Sequence, residues 1–167
     1  MFCSNCAAEL PKPPPVTCTA CGVSHYANPK PCAGALAADG EGRLLLVRRD
    51  HDPWRGFWDI PGGFCDEREL PADAAVRELR EETGLEGEPT GLLGIWMDDY
   101  GDTGVVCLNL YFTMRVTGGR ERPQPGEVSE LAWFAPADLP AELAFPQHEQ
   151  LVIDAWRARR FPPALGG

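Results

Sequence analysis

The chain has no uninterrupted apolar run of about 18 residues, the length a bilayer-spanning helix needs, so a transmembrane helix is not expected. Its first residues, Met1-Phe2-Cys3-Ser4-Asn5-Cys6, carry neither a basic region nor an apolar core, and no secretory signal is read there. Positive charge is scarce: 15 Lys and Arg stand against 25 Asp and Glu, a formal net charge of −10. This balance speaks against a general nucleic-acid binder, whose surface would be basic. It does not speak against a phosphorylated substrate, because a bound metal ion can supply the compensating charge. Internal repeats and a low-complexity tail are also missing. The seven cysteines are an odd number, which suits reduced thiols in a cytoplasm, the expected location, better than a closed set of disulfides.

What remains is the composition of an ordinary soluble globular protein, 44% hydrophobic and 24% charged. At 167 residues it can hold one domain of usual size and a small appendage. The appendage is read in residues 1–30. Cys3-x-x-Cys6 and Cys18-x-x-Cys21 are separated by a stretch containing Pro11, Pro13, Pro14 and Pro15. Two such knuckles at this distance have the spacing of a closed, tetrahedral four-thiolate Zn²⁺ site. A segment so small cannot build its own core, so the ion would supply its folding free energy. A redox pair or a disulfide staple is the competing reading. Gly22 suits the tight turn after the second pair. Cys32, Cys65 and Cys107 have no paired spacing and read as ordinary thiols.

Residues 25–31, with Pro29 and Pro31, read as an extended connection into the main domain, residues 31–161, with 162–167 as a tail. Strands are expected over 32–38 and 43–49, joined across Asp39-Gly40-Glu41-Gly42 as a hairpin. The run Leu44-Leu45-Leu46-Val47 suggests a strand covered on both faces. Further strands are expected over 90–97, 105–116 and 129–134, and a last helix over 148–159 with Leu151, Val152, Ala155 and Trp156 inward.

The chemistry concentrates in residues 63–85, GFCDERELPADAAVRELREETGL. Pro71 suits a first helical turn and Gly84 a C-terminal stop. Ala72, Val76, Leu79 and Thr83, with Ala75 at the border, would form the buried stripe. Glu78, Glu81 and Glu82 lie on another face at i, i+3 and i+4, so three like charges crowd together. Such a run is often only a solvated face. Here Gly62 and Gly63 precede it, where the backbone can turn sharply and leave carbonyls free, and hard oxygen ligands at this spacing suit Mg²⁺ or Mn²⁺. Arg77 can pair with Glu81 at i+4. A metal-binding carboxylate cluster of this kind is suited to polarising a diphosphate and activating water.

From Gly63 through Glu69 to Arg77-Glu78-Leu79-Arg80-Glu81-Glu82-Thr83-Gly84-Leu85, the pattern resembles the Nudix box at each fixed position, and by it the chain is identified as a member of the Nudix hydrolases. The resemblance covers roughly residues 31–160. It implies an α+β fold, a mixed β-sheet sandwiched between helices (α/β/α), here preceded by a small N-terminal zinc ribbon. It also implies hydrolysis of a nucleoside diphosphate linked to another group. By position, Glu78 and Glu82 would be the principal metal ligands, Glu81 a further ligand or water holder, and the Gly62 carbonyl another ligand. Arg77 would orient a carboxylate, and Glu69 would lock the loop onto the helix. The general base would be a box glutamate or an acid outside it. Glu127, after the Pro125-Gly126 turn, is favoured over Glu130 and Glu121, although each is also an ordinary surface residue.

For the nucleobase, Trp54, Phe57, Trp58, Trp96 and Tyr100 offer aromatic faces, and Arg48 or Arg55 could pair with phosphate. Core packing is the alternative for Trp58 and Trp96. Asp98, Asp99 and Asp102 could contact a sugar hydroxyl or a further metal, or be a polar hairpin tip. A zinc ribbon ahead of such a domain is similar to the NADH pyrophosphatases, but their Ser-Gln-Pro-Trp-Pro-Phe-Pro run is missing, and Phe145-Pro146-Gln147 is only a fragment of it. ADP-ribose or another ADP-sugar is therefore the expected substrate, hydrolysed with release of AMP, with NADH or NAD⁺ as the alternative. A non-catalytic nucleotide-binding module, docking through its ribbon, is the reading of a different class. No membrane or nucleic-acid partner is expected; a homodimer is implied by the resemblance alone.

Overall fold

The computed structural model describes residues 1–158; the end of the expected last helix at Arg159 and the tail at 162–167 lie outside the described residues. The N-terminal segment carries two short strands, β1 (Val16–Thr17) and β2 (Ser24–His25), paired antiparallel. Cys3, Leu10, Val16 and Cys18 form a small cluster of their own there.

The rest is built on one seven-stranded sheet. Its members are β3 (Lys30–Ala38), β4 (Leu44–Arg49), β5 (Trp58–Asp59), β6 (Gly62–Phe64), β7 (Leu85–Asp99), β8 (Val106–Gly119) and β9 (Val128–Phe134). The central path runs β5-β4-β3-β8-β7, with β6 added to β3 and β9 to β4. Only β3 and β8 run parallel among the pairs of this sheet, so it is mixed. Helix α1 (Pro71–Thr83) covers one face and α2 (Pro146–Arg157) the other. The period of two along the strands divides the core accordingly. Ala33, Ala35, Ala37 and Leu45 pack with Ala74, Ala75 and Leu79 of α1. Leu36, Leu44 and Leu46 point the other way, to Val152 and Ile153 of α2. The expected layers, the 39–42 hairpin and the doubly covered strand Leu44–Val47 are all present.

Two expectations need correction. The buried stripe of α1 is turned from the one read off the sequence: Ala74, Ala75, Leu79, Glu82 and Thr83 are buried, whereas Ala72 and Val76 are half-exposed. The periodicity argument assumed that carboxylates face outward, and Glu82 instead faces the sheet. In α2, Leu151 is 57% exposed, and Ile153 takes the inward position beside Val152.

Candidate active site

Three alanines on β3 and two on α1 let the helix approach the sheet closely, which brings its carboxylates onto a strand made of glycine. Strand β6 pairs with β3 through Gly34↔Gly62 and Ala33↔Gly63. A Cβ on Gly62 would lie 2.5 Å from the Ala33 carbonyl oxygen, and one on Gly63 would lie 2.5 Å from Glu78 Oε1. Both positions therefore require glycine for close approach rather than for a left-handed backbone. Glu82 accepts the Gly62 N–H at 2.9 Å.

Arg77 organises the rest. Its Nε and Nη2 form a fork on Glu69 at 2.8 Å each, and Nη2 also donates to the Phe64 carbonyl at 3.0 Å. Its Nη1 donates to Glu78 at 2.7 Å and to Glu81 at 3.1 Å. A planar guanidinium suits such bidentate work where a lysine would not. Glu69 in turn accepts the Asp66 N–H at 2.9 Å, tying the loop to the helix. The Arg77 bonds, then that N–H, hold the Glu69 carboxyl down at about 2.

Glu78 and Glu82 are pushed the opposite way. Burial raises both, and Glu82 is raised further by Asp59 and Glu78, against the Gly62 N–H and Arg49. Even with Arg77 on Glu78 and Arg49 near Glu82, burial and neighbouring acids disfavour the charged carboxylates, and a hard divalent cation is a group this oxygen donor set fits. Glu81 stands apart, half-exposed on the outer side of Arg77 and outside the cavity wall.

The carboxylates close one end of a cavity of about 540 Å³. Asp59, Gly62, Gly63, Glu78 and Glu82 form that end, and Cys32, Cys107, Asn109 and Tyr111 line its strands. Asp98, Asp99, Gly126 and Glu127 also border it, with Arg49, His51, Phe64, Tyr100 and Phe145 completing the wall. The rings of Tyr100 and Phe145 are stacked at 5.7 Å, and Phe64 meets Tyr100 edge-on at 5.4 Å. A pocket of this size, with aromatic walls and a carboxylate end, fits a nucleotide-sized ligand.

The NUDIX domain family model matches residues 28–155, the whole of this sheet and the helix bearing the carboxylates. The chain belongs to the Nudix family. It is 34% identical over 127 residues to an ADP-ribose pyrophosphatase of Methanocaldococcus jannaschii, covering 74% of this chain and 73% of that protein. It is 28% identical over 174 aligned positions to the NAD-capped RNA hydrolase NudC of Stutzerimonas stutzeri; that match takes in 99% of this chain but spans only 60% of the relative. Among solved structures, a NUDIX hydrolase from Nitrosomonas europaea superposes with a TM-score of 0.77 at 26% identity, covering 96% of this chain and 94% of that one. The protein is thus a Nudix hydrolase, and the pyrophosphatase class of chemistry is its family's.

Within this Nudix site the residues singled out from sequence divide clearly. Glu78, Glu82, Gly62, Arg77, Tyr100 and Glu127 line the cavity, and Glu69 braces it through Arg77. Asp98 and Asp99 are also in the wall, whereas Asp102 is not. Trp58 is 8% exposed and packs in the core edge-on to Phe134, so it offers no face to a ligand. Arg48 lies outside the cavity, over the Trp58 ring and paired with Glu130 at 3.3 Å. Arg55 pairs with Asp50 at 3.2 Å and is also outside. Glu121 accepts the Trp133 indole N–H at 2.7 Å. Of the three outside candidates for a base, only Glu127 borders the cavity. The sequence reading missed Arg49, Asp59, Phe64, Asn109 and Phe145, none of which carries a spacing signal.

In the N-terminal segment the four sulfurs of Cys3, Cys6, Cys18 and Cys21 all lie within 4.8 Å of one another. Cys3–Cys21 and Cys6–Cys18 are 3.6 and 3.7 Å apart. A tetrahedron with Zn–S bonds of about 2.3 Å has edges of about 3.8 Å, and these two separations match that ion. Both knuckles turn through a left-handed residue after the second cysteine, Ala7 at φ 58° and Gly22 at φ 74°. His25 Nε2 sits 3.2 Å from Cys3 Sγ, an outer contact of the kind that fixes a thiolate ligand.

Proposed function

We propose that the protein is a Mg²⁺- or Mn²⁺-dependent pyrophosphatase that cleaves an ADP-linked diphosphate, ADP-ribose or a related ADP-sugar, and releases AMP. The observation that carries this reading is the joining of Glu78 and Glu82 on the Gly62–Gly63 strand to the aromatic wall of Tyr100 and Phe145 in one cavity. The similarity to an ADP-ribose pyrophosphatase supports the choice of substrate.

A bound divalent cation supplies charge neutralisation on the diphosphate and a water more readily deprotonated. Glu78, Glu82 and the Gly62 carbonyl would hold it, with Glu81 on Arg77 outside the cavity wall. Arg77 fixes the Glu78 carboxylate at 2.7 Å, and Glu69 fixes Arg77. Glu127, which borders the cavity and adds to the charge felt by Glu78, is the residue we assign to accept the proton from the attacking water. Tyr100 or Phe145 would stack on the base. Zn²⁺ in the four-cysteine cluster would be structural, and the N-terminal segment at 1–30 a unit separate from the Nudix domain. Cytoplasmic placement belongs to the same reading; no helix of the described residues is long and apolar enough to cross a membrane.

The test is product analysis by mass spectrometry with Mg²⁺ and a panel of ADP-ribose, NADH, NAD⁺, FAD, sugar nucleotides and nucleoside triphosphates. AMP release from ADP-ribose, abolished in Glu82→Gln, is the expected result. Turnover of NADH or NAD⁺ in its place would favour the second reading, which the NudC similarity across the ribbon supports. No turnover by folded, zinc-loaded protein would favour the binding module.

A further inference from the structure

Two arginines line the cavity, Arg77 and Arg49, and Arg49, at the end of β4, is only 8% exposed. Its Nη1 donates to Asp59 at 2.7 Å, at the carboxylate end. Its Nε donates to the Pro53 carbonyl at 2.8 Å, holding the loop between β4 and β5. Its Nη2 is 3.4 Å from the Tyr100 hydroxyl, in the connection after β7, and its guanidinium lies 5.4 Å from the Phe145 ring centroid, just before α2. One side chain thus joins three loops around the cavity to the strand that adjoins Glu82. Arg77 cannot share this work, because Glu69, Glu78, Glu81 and the Phe64 carbonyl occupy its donors.

We infer that Arg49 is a positioning residue that holds the Tyr100–Phe145 wall at a fixed place relative to the carboxylates and so sets which nucleobase the cavity accepts. This rests on the nucleotide reading of the cavity given above. Stacking alone accepts any base, because each base has a π-face. Discrimination needs polar groups at a fixed distance from the stack, and the Asn109 amide lining the same cavity is such a group. If the wall moves, its distance from Asn109 changes and the base edge is no longer read. A lysine at position 49 would keep the charge opposite Asp59. It would lose the fork to Pro53 and Tyr100 and the flat contact on Phe145.

The experiment compares the full-length zinc-loaded protein with Arg49→Lys and Phe145→Leu. It measures kcat and KM for ADP-ribose, thermal melting, and calorimetric binding of AMP and UMP. For Arg49→Lys the expected result is kcat within about threefold, KM raised about tenfold or more, and an AMP-to-UMP affinity ratio falling towards one. Phe145→Leu should reproduce the loss of discrimination. A purely structural ion pair would lower the melting temperature and leave the ratio unchanged, and that result in folded Arg49→Lys overturns the inference. If Arg49→Lys does not fold, an unchanged ratio in Phe145→Leu overturns it instead. Wild-type protein that binds AMP and UMP equally also overturns it. Wild-type protein that hydrolyses nothing, yet prefers AMP and loses the preference in both variants, upholds the inference while the pyrophosphatase reading fails.

Discussion

The two adjacent glycines of β6 should separate activity from stability. In Gly63→Ala the new methyl would stand 2.5 Å from Glu78 Oε1 and 2.7 Å from its Cδ, where ordinary contact begins at 3.4 Å. The carboxylate must then retreat by about 0.9 Å, the difference between 3.4 and 2.5 Å, and the 2.7 Å bond from Arg77 is lost or bent. A displacement near 1 Å in a positioned group costs about a hundredfold in rate, or about 2.7 kcal/mol in the barrier. The fold should barely register the change. The obstructing atoms are the end of a flexible side chain, and Gly63 is not among the left-handed glycines, so the stability cost should stay below about 1.5 kcal/mol.

Gly62→Ala meets backbone instead, the Ala33 carbonyl oxygen at 2.5 Å and Gly34 Cα at 2.8 Å. The β3–β6 pair must open there, and overpacking of this kind costs about 1–3 kcal/mol. The assay is kcat on the hydrolysed substrate at saturating Mg²⁺, alongside calorimetric melting of both variants. Gly63→Ala should melt close to the wild type with kcat down about a hundredfold, and Gly62→Ala should melt clearly lower. A Gly63→Ala enzyme within threefold of wild-type kcat, or one that melts as low as Gly62→Ala, would refute the reasoning.

Three further outcomes follow from the same geometry. Cys18→Ser should abolish zinc binding, measured as metal content per chain, and open the N-terminal segment to protease while leaving substrate preference unchanged, because the ion supplies that segment's folding free energy. Ala7→Gly should raise the resistance of the same segment to zinc chelators, since Ala7 sits at φ 58° and relief of a left-handed alanine offsets the entropy of glycine by about 0.5–1 kcal/mol. Glu69 has its folded value depressed to about 2 from an ordinary 4.5, so its contribution is fully present above pH 4.5 and is lost as pH falls through about 2. Acid unfolding curves of the wild type and Glu69→Gln should accordingly differ by a constant amount above pH 4.5 and converge towards pH 2.

What the sequence disclosed depended on whether a feature is set by neighbours in the chain or by partners across the sheet. Helix α1 was legible because Pro71, Gly84 and the i, i+3, i+4 glutamates are local signals, and Gly84 does cap the helix at φ 73°. The four cysteines were legible because metal knuckles are also local. The choice of arginine was not. Leu44-Leu45-Leu46-Val47 is covered on both faces, so the run ahead of Arg48 and Arg49 carries no alternation from which to read the side each arginine takes. The ladder to β9 then slips between Arg48 and Arg49, pairing Arg48 with Glu130 but Arg49 with Val128. The two consecutive side chains take opposite faces, Arg48 over Trp58, its partner in the β4–β5 ladder, outside the cavity, and Arg49 against Asp59 inside it, and which face is the cavity is set by partners across the sheet. Glu82 was read as a metal ligand, but its burial was not, for a related reason: a hydrophobic stripe assigns every carboxylate to solvent, and this helix is rotated from its own periodicity so that Glu82 faces the sheet. The candidate site is where local pattern and tertiary demand diverge: the inward side of Arg49 and the burial of Glu82, neither carried by the local pattern, are both found at the cavity.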